Sequence, residues 1–155
     1  MAQTTRLIAS AVWPEDATAV AAFMSAVFNS DGVEELQDTL KCSGALLARG
    51  GGERTQWPDG PLVGALTYTH LKGRVHINSL GVLASKRKNG VGSALMQEII
   101  ERYGARATLT VAIDTEWDST LRTFYANFGF VDTKEKNPHG SELWERKPPP
   151  LCCVM

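Results

Sequence analysis

Two apolar-rich runs in the middle of the chain, "LVGALTYTHL" and "RVHINSLGVL", are separated only by Lys72-Gly73. A two-residue link ending in glycine closes a hairpin, so the runs are antiparallel neighbours. Pairing Leu71 with Arg74 sets Thr69 opposite His76 and Thr67 opposite Asn78 on one face, with Tyr68 opposite Ile77 on the other. Helical patterns lie on both sides of this hairpin. That order excludes a doubly wound parallel sheet and predicts a mixed α/β (α+β) fold, with a mainly antiparallel central sheet and helices on both faces.

The flanks fill in the elements. "RLIASAVWPED" reads as a strand running into a helix started by Pro14, Glu15 and Asp16, on which Ala19, Val20, Phe23, Met24 and Val27 recur at helical spacing. A short helix follows from Val33 to Leu40, then "GALLARGG" as a strand, and Gly51 to Pro61 as a loop. Beyond the hairpin, Leu95, Met96, Ile99, Ile100 and Tyr103 form a helical stripe that stops near Gly104. "ATLTVAID" is the next strand. "STLRTFYANFGF" is a helix capped by Asp118 or Ser119 and ended by Gly129, and "FVDTKE" and "SELWERK" are the last two strands. One domain spans residues 1–147, and residues 148–155 form a Pro/Cys tail.

The totals narrow the function. At 155 residues the chain is one domain that needs no disulfide or metal to fold. Sixteen basic against seventeen acidic residues leave a formal charge of −1, which argues against a nucleic-acid binder. "MAQTTRLIAS" lacks the pattern of a secretory signal and no apolar run reaches spanning length, so the expectation is a cytoplasmic protein. Cys42, Cys152 and Cys153 give no disulfide framework. His70, His76 and His139 show no metal-ligand spacing, and no metal is expected.

Between the second hairpin run and the helix lies "KRKNGVGSAL". Two glycines at a strand-to-helix turn expose backbone N–H donors at a helix N-terminus, a setting for a phosphate or pyrophosphate. A P-loop would carry Lys-Ser/Thr after a second glycine five residues beyond Gly90, where Leu95 stands. A dinucleotide fingerprint would carry a glycine at that same position.

Read from Arg87, the turn is Arg-Lys-Asn-Gly-Val-Gly, the pattern Q/R-x-x-G-x-G/A, with "LGV" before it and "FYANFGF" after it, similar to L-Y-x-x-x-G-F. In these motifs the sequence resembles the GNAT N-acetyltransferases, which move an acetyl group from acetyl-coenzyme A to an amine. The motifs span Arg74 to Phe130, and the order of elements agrees along nearly the whole chain. The resemblance implies that the backbone around Asn89, Gly90, Val91, Gly92 and Ser93 receives the coenzyme's pyrophosphate, with Arg87 and Lys88 available to phosphate oxygens. It also implies that the strand carrying Leu80, Gly81 and Val82 splays from its neighbour and offers backbone groups to the pantetheine arm. Glycine at 81, where the family often has a bulkier small residue, then widens the slot. Asp118 stands where the family often has an asparagine touching the pantetheine region.

The acceptor must be a neutral amine, yet an ammonium of pKa 10.4 is deprotonated at pH 7 only about once in ~2,500 molecules, roughly 4.6 kcal/mol uphill. A base in the cleft therefore helps. Where several family members place one, six residues before the end of "LGV", this chain has His76; Asp114 and Glu116 are the alternatives, and a hairpin histidine bonded to Thr69 is the structural reading. Tyr125 matches the family tyrosine that protonates the departing thiolate, and its other reading is a core aromatic beside Phe128.

The implied activity is direct transfer, in a ternary complex, from acetyl-coenzyme A to a primary amine on a small molecule or peptide. Cys42 lies outside every motif, so a covalent cysteine route is not supported. The rival is a non-catalytic coenzyme-A-binding sensor on the same fold; a tail-tethered membrane adaptor is a third reading. Segments around Asn29 to Leu40, with Asp31, Glu34, Glu35 and Asp38, and Lys134 to Ser141 are placed to select the amine. A homodimer is compatible with the chain. "CCVM" matches C-a-a-X with Cys152 as acceptor, and one prenyl chain there gives only weak membrane association.

Overall fold

The structure, a computed structural model, describes residues 7–50, 61–87, 90–114 and 120–150. The loop expected at Gly51 to Pro61 lies outside these residues except for Pro61, as does the C-a-a-X tetrapeptide. In chain order the elements are β1 (Leu7–Ser10), α1 (Ala17–Phe28), α2 (Gly32–Leu40), β2 (Gly44–Arg49), β3 (Leu62–Leu71), β4 (Arg74–Val82), α3 (Val91–Tyr103), β5 (Thr108–Ile113), α4 (Leu121–Ala126), β6 (Val131–Lys136) and β7 (Glu142–Arg146).

Among the described residues seven strands make one sheet in the order β1-β2-β3-β4-β5-β7-β6. Every neighbouring pair is antiparallel except β4 with β5. The expected mixed, mainly antiparallel sheet is what forms. Its two faces carry separate cores. Val20 and Met24 of α1 pack with Ala45, Leu47 and Ala65 on one side. On the other, Val91, Leu95, Met96 and Ile99 of α3 and Tyr125 of α4 pack with Leu46, Leu66, Val75, Ile77, Leu109 and Val111. Burying a side chain such as Met24 or Leu95 completely contributes about 1.5–3 kcal/mol, so each face holds its helix firmly.

The hairpin register departs from expectation at one point. Leu71↔Arg74, Thr69↔His76 and Tyr68↔Ile77 pair as expected, but Thr67 faces Ser79 and not Asn78. A β-bulge inserts one extra residue into β4, and the alternation of its side chains inverts across it. Before the bulge Val75 and Ile77 point to the α3 core; after it, Leu80 and Val82 do, while Gly81 points to α1. His76 therefore faces the α1 side. Asn78, the extra residue, accepts a hydrogen bond at Oδ1 from the Thr69 hydroxyl at 2.7 Å.

Two helix ends also differ. The last helix begins at Leu121 with Thr120 at its N-cap position and no side-chain cap, and ends at Ala126, three residues short of Gly129. The expected caps Asp118 and Ser119 lie outside the described residues. In α2 the start is set by Asp31, whose Oδ1 accepts from the N–H groups of Val33 and Glu34 at 2.8 and 3.1 Å.

Candidate active site

Parallel pairing of β4 with β5 runs through Arg74↔Thr108, Val75↔Leu109, His76↔Thr110 and Ile77↔Val111, and stops there. From Asn78 to Val82, β4 has no β5 partner among the described residues, although β3 still pairs with its other edge. The strands part because β5 ends at Ile113 while β4 runs on into a 3-10 turn at Ala84–Lys86 and then to α3. The wedge they leave is a cleft of about 1100 Å³.

The cleft gathers most of the expected residues: Leu80, Gly81, Val82, Arg87, Gly90, Val91, Gly92, Ser93 and Tyr125 all line it. Lys88, Asn89 and Asp118, and the alternative base Glu116, lie outside the described residues. Val27 and Phe28 at the end of α1, Lys86, Asp114, Thr120, Leu121 and Phe124 complete the wall. Only Asp114 of these carried a sequence assignment. Phe124 adjoins the tyrosine motif and Lys86 the basic turn, so their neighbours were a signal; nothing local in the sequence marks Phe28.

Gly90 is the N-cap of α3 and adopts φ 81°, ψ 9°, a left-handed conformation that any other residue would hold with strain. No acidic residue follows in the first turn, so the helix N-terminus keeps its positive end toward the cleft. At Gly92 an added Cβ would lie 3.7 Å from both Phe124 and Val82, which is ordinary contact. The space beside Gly92 is therefore slot, bounded by β4 on one side and α4 on the other.

Gly81 does not simply widen that slot. A Cβ there would meet Met24 Sδ at 2.8 Å and Val27 at 3.3 Å, because α1 sits close against the strand. The absent side chain is replaced by helix. Arg87 turns its Nε back to donate to the Val82 carbonyl at 3.2 Å, bracing the end of β4.

Tyr125 is 6% exposed, stacked edge-on between Phe124 and Phe130, and burial pushes its phenol up to about 12. It is both a core aromatic and a cleft residue. At neutral pH it holds its proton.

His76 stands apart from the cleft lining, on the α1 face at the last pair but one before the strands separate. Its Nδ1 lies 2.7 Å from Thr110 Oγ1, so its partner is Thr110 and not Thr69. Burial, and then the nearby Arg74 charge, lower its pKa, which keeps the ring neutral. Cys42 is buried, with its thiol 3.6 Å from the Asp38 carbonyl, and burial raises its pKa and suppresses the thiolate. The acidic residues of α2 serve the fold in part: Asp31 caps the helix and Glu35 accepts from the Ser30 hydroxyl at 2.8 Å. Among the described residues no group of three or more His, Cys, Asp or Glu is placed to hold a metal, and no helix is long and apolar enough to cross a membrane.

A mainly antiparallel sheet that opens at a single parallel pair, beside a glycine-led helix N-terminus, defines an acyl-coenzyme A transferase type of cleft. Residues 54–141 match the acetyltransferase (GNAT) domain, and the chain belongs to that family. Solved structures share the fold at low identity. They include Naa50 from Arabidopsis thaliana in complex with the bisubstrate analogue CoA-Ac-MVNAL (19% identity, TM-score 0.68, 94% of this chain and 99% of that one). Another is the GNAT family N-acetyltransferase YhbS from Escherichia coli in complex with CoA (18%, 0.67, 94% and 83%). A third is a GNAT acetyltransferase from Brucella melitensis in complex with acetyl-CoA (17%, 0.64, 94% and 90%). No curated protein sequence matches the chain.

Proposed function

We propose that the chain is an N-acetyltransferase that carries an acetyl group from acetyl-coenzyme A to a primary amine by direct attack in a ternary complex. The observation that carries this reading is the parting of β4 from β5 beyond Ile77↔Val111, immediately beside the Gly90-led start of α3. Three neighbours of this fold hold coenzyme A, acetyl-coenzyme A or a coenzyme A conjugate.

The chain's own groups fit such a ligand. The unpartnered edge of β4 at Leu80, Gly81 and Val82 offers backbone donors and acceptors to an amide-bearing arm. The first N–H groups of α3, at Val91, Gly92 and Ser93, are free of an acidic cap and suit a pyrophosphate, with Lys86 and Arg87 on the same wall. When bound, acetyl-coenzyme A supplies an acetyl group activated as a thioester. Tyr125 Oη, protonated well above neutral pH, donates its proton toward the departing sulfur. His76, neutral at pH 7, takes a proton from the acceptor ammonium on the α1 face. Cys42, buried and held as a thiol, supports no covalent route.

The deciding experiment is a panel of small-molecule and peptide amines with acetyl-coenzyme A, read as release of free thiol and as acetylated product by mass. Turnover of at least one amine class, abolished in Tyr125→Phe, is the expected result. Thermal stabilisation by the coenzyme with no turnover on any amine would instead make the chain a coenzyme-A-binding sensor.

A further inference from the structure

We propose that Thr110 is the positioning residue that assigns the two nitrogens of His76, holding Nδ1 and leaving Nε2 to meet the acceptor amine; this rests on the reading of His76 as the base. His76 and Thr110 are direct partners in the parallel register of β4 and β5, and Nδ1 and Oγ1 are 2.7 Å apart. Thr110 is 4% exposed, and as a β-branched residue on a strand it has few rotamers open to it. Its oxygen is thus a fixed point.

A neutral imidazole carries one proton, and only the nitrogen without it can act as a base. The threonine hydroxyl accepts the Nδ1–H, which puts the lone pair on Nε2. The proton transfer then balances simply: an N–H bond of the acceptor ammonium breaks, its electron pair stays on the amine nitrogen, and Nε2 takes the proton. The resulting imidazolium keeps Nδ1–H on Thr110 and later returns the new proton to water.

The surroundings leave this assignment to the hydroxyl. On β4 the charged neighbour is Arg74, which disfavours a protonated ring. On β3 the residue opposite is Thr69, whose hydroxyl is already given to Asn78. From α1 the buried residues Val20 and Met24 are uncharged. Across β5, Glu145 of β7 lies opposite Thr110 and its carboxylate is 3.7 Å from Lys147 Nζ. Among the described residues the ring's hydrogen-bond partner is Thr110.

The test reads the tautomer directly in the full-length chain without ligand, by two-bond proton–nitrogen NMR of the histidine rings. The wild type is expected to show Nδ1–H on His76. Thr110→Val, which keeps the shape and loses the oxygen, should move the proton to Nε2 and lower kcat roughly tenfold or more with the amine KM unchanged. Thr110→Ser should restore both. An Nε2–H wild type, or a valine variant with unchanged tautomer and kcat, overturns the proposal. If the valine variant fails to fold, the wild-type tautomer and the serine variant decide. Wild-type kcat in His76→Ala would sink the base reading itself, while the ring spectrum still reports on Thr110.

Discussion

Arg122 of α4 grips Glu142 of β7 with both ends of its guanidinium, Nε donating to Oε1 at 3.0 Å and Nη2 to Oε2. Trp144 Nε1 donates to the same carboxylate at 3.1 Å. Arg122 lies one turn before Tyr125, so this pair anchors the helix that carries the proposed acid to the sheet.

The pair has a pH signature. The guanidinium, and then the indole N–H, hold the Glu142 carboxyl down to about 2, against an ordinary value near 4.5. A carboxyl depressed by folding stabilises the fold above its unfolded pKa, and that stability is lost as pH falls through the folded value. Wild-type unfolding by urea should therefore weaken between about pH 4.5 and 2. Glu142→Gln should be less stable at pH 7 and show a shallower acid slope; an identical slope would mean the pair contributes nothing.

Acetyl-coenzyme A is expected to raise the melting temperature. At about a hundred times its dissociation constant the linkage is roughly 2.7 kcal/mol. Gly92→Val should fold, since the Cβ position has room, but its side chain stands between Val82 and Phe124 and closes the slot. Gly90→Val is a poorer probe, because strain of about 1–3 kcal/mol at a left-handed position would lower stability by itself. A Gly92→Val chain stabilised as well as wild type would move the ligand elsewhere.

Tyr125→Phe keeps the ring contacts with Phe124 and Phe130 and removes one proton. Turnover should fall while stabilisation by coenzyme A survives. With the phenol near 12, no basic limb from this group should appear below about pH 11. Full turnover would return Tyr125 to the core alone.

For His76 the sign runs the other way from Glu142. Burial lowers its pKa below 6.5, so the neutral, base-competent ring persists to lower pH and the acidic limb of the rate profile falls below that value. His76→Ala should remove that limb and cost something like ~10²-fold in rate. Retention of the limb would transfer the role to Asp114, which lines the cleft, or to Glu116.

Local chemistry made much of this molecule legible. Lys72-Gly73 was enough to place the hairpin, and the glycine spacing was enough to place the turn before α3, because both depend on neighbours in sequence. The bulge at Asn78 was not legible: nothing in "HINSL" distinguishes an inserted residue from a paired one, and only the partner strand counts residues. The same holds for His76, whose hydroxyl partner is 34 residues away on a strand it meets only in the fold. Gly81 was read as room for ligand because its real neighbours, Met24 and Val27, belong to a helix more than 50 residues earlier.

Only four residue pairs join β4 to β5, and everything on either side of that seam is antiparallel. The sheet is in effect two ribbons, β1 to β4 and β5 to β6, stapled along a short length and backed by a helix. Its interior strand has an edge, the sort of edge that proteins ordinarily hide. A ligand arm laid along Asn78 to Val82 hides it, as a missing strand would. Loading the cleft is then a late step of folding, and the backbone amides of β4 should turn from the fastest-exchanging in the centre of the sheet to among the slowest once the arm is in place.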